Sequence, residues 1–283
     1  MTTATAPRGP TALSTILRSL EFRMFCLALT LAVILSLSSP YFLTERNIFN
    51  ILDQSVVIGI VAVGMTFVIL TGGIDLSVGA VFGLAPFVVT LGVMAIGRSL
   101  SFILSGQRSI SGLPPNLDSI VYSSFLGIPA NVLFLIGLYL CAWGYLTYTK
   151  GGRTIYAIGS NREAARAAGL SVMVYSILPY VVSGVLAAVA VTFSLAQVMS
   201  ADPMAGNGLE LDAIAAVVIG GASLFGGRGS IIGTLFGVLI MVMIRNGLNL
   251  MGVSPFWQGT AIGSIIIIAL LAERLITWRS GRA

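Results

Sequence analysis

The sequence lacks histidine entirely, has a single lysine, Lys150, and carries only two cysteines and ten acidic residues over 283 positions. These shortages exclude much chemistry. With no histidine and no cysteine pair at metal spacing, a metal centre has no ligand set of the usual type. Lys150 follows Thr149, so there is no Gly-x-x-x-x-Gly-Lys phosphate loop and no ATPase site of that kind. Cys26 and Cys141 both fall in apolar stretches, which argues against a disulfide framework. The acidic residues read as lying near the bilayer, Asp75, Glu210 and Asp212, form no facing pair of the sort a proton or metal relay needs. An intramembrane protease or a proton-driven carrier therefore lacks visible machinery. No catalytic residue and no metal site is assigned, and no cofactor is expected on the chain itself.

What is abundant is apolar surface. With 57% hydrophobic and 9% charged residues and a mean hydropathy of +1.00, the chain has too little polar area for a water-soluble globule. The apolar runs far exceed the roughly 10-residue alternating strands of a barrel, so the expected class is an all-α polytopic membrane protein. Windows of about 20 uncharged residues predict spans near 24–42, 52–72, 76–104, 119–147, 173–199 and 255–277. Between the last two, 213–227 and 229–244 are short, glycine-dense and meet at Arg228; they read equally as two ordinary spans or as broken, re-entrant helices. The expected total is about eight crossings.

The positive charges collect at Arg8, Arg18 and Arg23, in the central loop at Lys150, Arg153, Arg162 and Arg166, and at Arg274, Arg279 and Arg282. The positive-inside rule puts all three groups in the cytoplasm, with Glu45, Arg46 and the stretch from Gly106 to Asp118 outside. It also accounts for the +5 net charge without a nucleic-acid partner. Residues 1–16 are polar and Met24 to Thr44 is long enough to remain as a span, so no cleavable signal is expected. The expected organisation is a cytoplasmic segment 1–23, one transmembrane domain 24–278 with a cytoplasmic loop 150–172, and a tail 279–283.

Within that loop, Ser160 and Glu163 fit a capping box and Gly169 fits the left-handed position after a helix, which predicts a short amphipathic helix. Asp75 and Ser77, after Gly72-Gly73, fit a cap on the next span, with sugar contact as the alternative role for Asp75; Asp212 fits a cap at 213, and Arg245, Asn246 and Asn249 fit anchors of a span end. Gly72, Gly73, Gly79 and Gly83 share their spacing with Gly226, Gly227, Gly233 and Gly237. Close helix packing alone favours glycine. The double glycine kept in both copies favours an internal repeat, two related half-bundles around a path.

The run Gly64-Met65-Thr66-Phe67-Val68-Ile69-Leu70-Thr71-Gly72-Gly73-Ile74-Asp75-Leu76-Ser77-Val78-Gly79 resembles the signature of permease subunits of ribose-type ATP-binding-cassette (ABC) importers. Two further blocks agree: Tyr156 to Gly159 through Glu163-Ala164-Ala165 to Gly169, and Glu210 to Gly221 followed by Gly226-Gly227. The resemblance implies a permease in a bacterial plasma (inner) membrane that pairs with itself or a sister permease. It further implies a separate ABC ATPase subunit that binds the ATP, and a periplasmic or extracellular sugar-binding protein as donor. The central loop then becomes the ATPase-coupling element, with Arg153, Asn161, Glu163, Ala164, Ala165 and Gly169 as its residues. Thr66, Gly72, Gly73, Asp75, Ser77, Gly79, Gly226 and Gly227 become the candidate path.

The sequence departs from that family at one place. After Val81-Phe82-Gly83-Leu84 the family pattern continues before reaching the equivalent of Ala85-Pro86-Phe87-Val88; here the two blocks abut. The missing length is on the order of 40 residues, about two crossings, so downstream sidedness survives. Three readings stay open: a working monosaccharide or polyol importer permease, a non-transporting remnant, and a stand-alone carrier or channel.

Overall fold

A computed structural model describes residues 19–73, 86–114, 116–125, 127–254, 257–264 and 267. The described chain is helical, with two minor two-stranded pairings. In order the elements are α1 (Leu20–Ser38), α2 (Glu45–Leu70), α3 (Pro86–Ser105), β1 (Ile110–Ser111), α4 (Ser119–Tyr122), β2 (Ser124–Phe125), β3 (Ile128–Pro129), α5 (Ala130–Tyr148), α6 (Lys150–Ser160), α7 (Arg162–Ala167), α8 (Val172–Val198), β4 (Ser200–Ala201), α9 (Leu209–Ile219) and α10 (Ile231–Leu250). β1 pairs antiparallel with β4, and β2 with β3. Among the described residues, α1, α2, α5, α8 and α10 are long and apolar enough to cross a bilayer.

Several boundaries shift for local reasons. The span expected at 24–42 is realised as α1 because the Ser19 hydroxyl accepts the Phe22 N–H at 3.2 Å, starting the helix early. Pro40 forces Ser39 into extended backbone, ending it early. The span expected at 119–147 is broken by the β2–β3 turn, where Gly127 takes φ +80°, and the continuous helix begins only at Ala130. The segments 213–227 and 229–244 prove unequal. Helix α9 has 11 residues, about 16 Å, and is too short to cross a roughly 30 Å core, whereas α10 has 20 and is long enough. They form an antiparallel hairpin so close that a side chain on Gly237 would strike the Ala216 carbonyl.

Helix α2 is the centre. It packs against α8, α10, α9 and α5, and from Val56 to Leu70, where nearly every residue is buried, it is almost wholly apolar on all sides. One face joins Ile58, Met65 and Ile69 to Val217, Val238 and Val242; the other joins Ile60, Val63 and Phe67 to Leu135, Ile155 and Phe193. Hydrophobic burial supplies little force between helices in lipid, so close contact and internal hydrogen bonds must hold them. Both are present. Gly64 lies against Ser183, and Thr66 and Thr234 share a bond of 2.9 Å. Asn47 and Asn246 bond reciprocally at 3.0 and 2.8 Å. Asn131 donates to Asp53 at 2.8 Å and Gln197 to the Asp53 carbonyl at 3.1 Å. Asp53 lies inside its own predicted span, and sequence reading passed over it among the acidic residues near the bilayer.

Replacing Asn246 with leucine leaves the buried Asn47 amide without its reciprocal partner. The expected cost is about 1 kcal/mol in thermal or denaturant unfolding of the purified protein in nanodiscs, with Asn47→Leu/Asn246→Leu costing less than the sum of the two single changes.

Candidate coupling site and path

The central charged loop is two helices folded onto the end of the bundle. Thr149 opens the first: its hydroxyl accepts the Gly152 N–H at 3.0 Å, and α6 then buries Thr154, Ile155 and Ile158 while Arg153 stays exposed. Its early glycines fit because Gly151 sits under the Tyr145 ring and Gly152 against the Leu146 carbonyl. Helix α6 continues to Ser160, so Ser160 closes one helix instead of capping the next. The expected capping box is replaced by Asn161, in extended backbone, whose Oδ1 accepts the Ala164 N–H at 2.9 Å. Gly169 does take the left-handed position, φ +76°. Its N–H reaches the Arg166 carbonyl at 3.0 Å and the Leu170 N–H reaches Ala165 at 3.1 Å, which completes a Schellman closure.

This turn has two distinct sides. Ala165 is buried against Ile158 and Val172, with Leu170 and Tyr175 around them. Arg162, Glu163, Ala164, Arg166 and Ala167 all face outward. The exposed side carries the long charged side chains Arg162, Glu163 and Arg166 beside two alanines, mixed in charge and capped at both ends.

Beneath it lies a junction of backbones. The end of α2, with Gly72 at φ +78°, meets the α9–α10 loop, where the Gly227 N–H donates to the Leu70 carbonyl at 2.9 Å. Gly159 on α6 is wedged between the same two groups: a Cβ there would land on the Leu70 carbonyl oxygen and the Gly227 nitrogen. The Tyr156 hydroxyl donates to the Gly229 carbonyl at 3.0 Å. Burial pushes the Tyr156 phenol above its ordinary pKa, with the Glu21 charge adding to the shift, so it remains a donor. Gly72, Gly226 and Gly227 are thus brought together, and Gly73 lies nearby against Tyr180. Thr66 is fully buried between α2 and α10. Asp75, Ser77, Gly79 and Gly83 lie outside the described residues, so the repeat's second pair of glycines has no counterpart to compare.

At the opposite end of the bundle, Asp212 is not a cap: it sits in the first turn of α9, after Gly208, and is buried in an ion pair with Arg245 of α10 at 2.7 Å. Arg245 is therefore more than a span anchor. Sequence reading also gave Gly159 and Tyr156 no role of their own. The only signal for them was their place in the Tyr156 to Gly159 block, since backbone contacts between distant segments leave no local pattern.

Residues 82–270 match the family model described as branched-chain amino acid transport system / permease component. The chain is 39% identical over 288 positions to the ribose import permease protein RbsC of Bacillus subtilis, covering 86% of this chain and 89% of that one. It is 37% identical over 300 positions to RbsC of Escherichia coli, covering 90% and 94%. Against the D-allose transport system permease protein AlsC of Escherichia coli it is 35% identical over 296 positions, covering 89% and 91%. No solved structure matches. Each of these alignments is longer than the 283-residue chain while using at most 90% of it, so the relatives hold positions with no counterpart here.

Proposed function

The chain belongs to the family of permease components described for branched-chain amino acid transport systems, and from that premise we propose that it is the membrane-spanning subunit of an ABC importer for a monosaccharide or related polyol. The sugar class rests on the ribose and allose permeases among its relatives. The end carrying Lys150, Arg153, Arg162, Arg166 and Arg228 is cytoplasmic by the positive-inside rule, as are both termini, in a bacterial plasma membrane. A separate ABC ATPase subunit docks on the exposed face of α6–α7, a soluble sugar-binding protein delivers from outside, and a second permease subunit completes the path.

The observation that carries the reading is the three-way backbone junction of Gly159, Leu70 and Gly227. Closure of an ATPase dimer would displace α7, and α7 is keyed to α6 through Ala165 and Ile158. Because α6 touches α2 and the α9–α10 loop backbone to backbone, with no flexible side chain between, the displacement passes to the core helices. Coupling requires such stiffness.

The relatives hold positions with no counterpart here, and we assign them to a helix pair missing after Leu84, where two blocks of the family pattern abut in this sequence. The outer face of α3, with Ile96, Ile103 and Leu104 exposed, is then where lipid or a neighbouring permease fills the gap. The same absence favours one competing reading, a folded remnant that holds an ATPase without transporting.

Docking is tested by co-purifying the tagged chain with its candidate ATPase from detergent-solubilised membranes. Wild type is expected to capture the ATPase stably. Glu163→Arg, which reverses a charge on the exposed face, and Gly169→Pro, which cannot adopt φ +76°, are expected to reduce capture at least tenfold with insertion unchanged. Equal capture by wild type and both variants, or none by well-inserted wild type, removes the coupling assignment.

A further inference from the structure

The end of the bundle opposite the charged loop holds a cavity of about 640 Å³ between α3, α8, the segment 200–208, α9 and α10. Its size lies in the range of small-molecule sites. The polar side chains that line it are Ser101, Ser105, Ser194, Ser200, Asn207 and the Asp212–Arg245 pair, with Asp202 at an exposed rim position. Val57, Val191 and Leu195 supply an apolar wall.

The ion pair is asymmetric. The Asp212 side chain is 6% exposed and the Arg245 side chain 35%, so the acid is enclosed and the guanidinium borders the cavity. Nη2 of Arg245 contacts both Asp212 oxygens, at 2.8 and 2.7 Å. A guanidinium has five N–H donors, so Arg245 has donor capacity beyond this pairing. Serine hydroxyls and the Asn207 amide add both donors and acceptors. A second ion pair, Arg98 with Glu210 at 3.7 Å, joins α3 and α9 alongside. Arg245 and Arg98 are thus each already paired with an anion, and a ligand bringing its own charge to either would have to break that pair.

We propose that this cavity binds a neutral, polyhydroxylated molecule at low affinity, the molecule's hydroxyls meeting Arg245, Asn207 and the serines while its C–H faces lie on the Val57 wall. The assignment rests on the importer reading for its biological sense, since the cavity lies on the outer side in that topology. Low affinity follows from composition. Among the described residues no aromatic side chain lines the cavity to serve as a stacking platform for a sugar ring, and the polar groups are partly committed to one another. A site that receives and releases needs weak binding.

The full-length chain in lipid nanodiscs, alone and in complex with its ATPase, would be titrated with radiolabelled D-ribose, with D-allose and L-leucine as competitors. Wild type is expected to bind D-ribose saturably in the millimolar range, with D-allose competing and L-leucine not. Ser194→Trp places an indole in the cavity while leaving both residues of the ion pair unchanged, and Asp212→Asn/Arg245→Gln removes both charges together. Each should weaken binding at least tenfold, whereas Leu37→Ala, on the exposed face of α1, should leave it unchanged. Absence of saturable binding by folded wild type, wild-type binding by Ser194→Trp, or competition by L-leucine overturns the assignment. ATPase capture without sugar binding would sink this site and leave the importer reading standing; sugar binding without capture would do the reverse.

Discussion

Replacing Gly159 with alanine is expected to uncouple the protein and destabilise it by about 3 kcal/mol, although it adds one methyl group. The added carbon has backbone on both sides, the Leu70 carbonyl oxygen and the Gly227 nitrogen, so no rotamer change relieves the clash. Overpacking alone costs about 1–3 kcal/mol. Pushing the strands of the junction apart also breaks the 2.9 Å Gly227 to Leu70 hydrogen bond, worth about 1 kcal/mol more. A control is built into the same loop. Gly169 has open space around its Cβ position and differs only in its φ of +76°, so Gly169→Ala should cost about 1 kcal/mol. Thermal unfolding in nanodiscs separates the two by several degrees. ATPase stimulation by the reconstituted complex should be lost in Gly159→Ala and largely kept in Gly169→Ala. Equal behaviour of the two variants would mean that the junction transmits nothing special.

The second large effect belongs to the ion pair at the other end. Arg245→Met leaves the Asp212 carboxylate buried without its cation, and removing one partner of a buried pair typically costs about 3–5 kcal/mol. The loss should be out of proportion to that of the double variant Asp212→Asn/Arg245→Gln, because the double variant leaves no charge behind. A double-mutant cycle on unfolding midpoints reads the coupling directly. A single variant as stable as the double would show that Asp212 is neutralised or hydrated without Arg245.

How much of this was legible in the sequence depends on range. The helical membrane class follows from composition. The Gly169 closure and the central helix follow from local turn chemistry, which needs only neighbouring residues. The error at Ser160 was also local: Asn161 and Ser160 are both good caps, and the choice between them was made by α6, whose Thr149 start and buried Ile155 and Ile158 carry the helix through three glycines. What sequence could not supply was pairing across distance. Asp212 meets Arg245 33 residues away, Asn47 meets Asn246 at 199, and Gly159 meets Leu70 and Gly227 from three separate segments. Each of those residues has an ordinary local reading, as cap, anchor or flexible glycine, that is sufficient until the helices are packed. The repeated double glycine was a partial exception, since both copies end at the same junction.

The most direct test of the importer assignment is ATP-dependent uptake. Proteoliposomes would hold the chain with its candidate ATPase, ATP would be enclosed on the ATPase side, and the sugar-loaded binding protein would be added outside. Accumulation of D-ribose that needs ATP and is lost in Glu163→Arg is the predicted result. An ATPase that is captured and active beside no accumulation, or uptake that runs equally without ATP, would contradict a coupled importer and identify the chain as a remnant or a passive carrier.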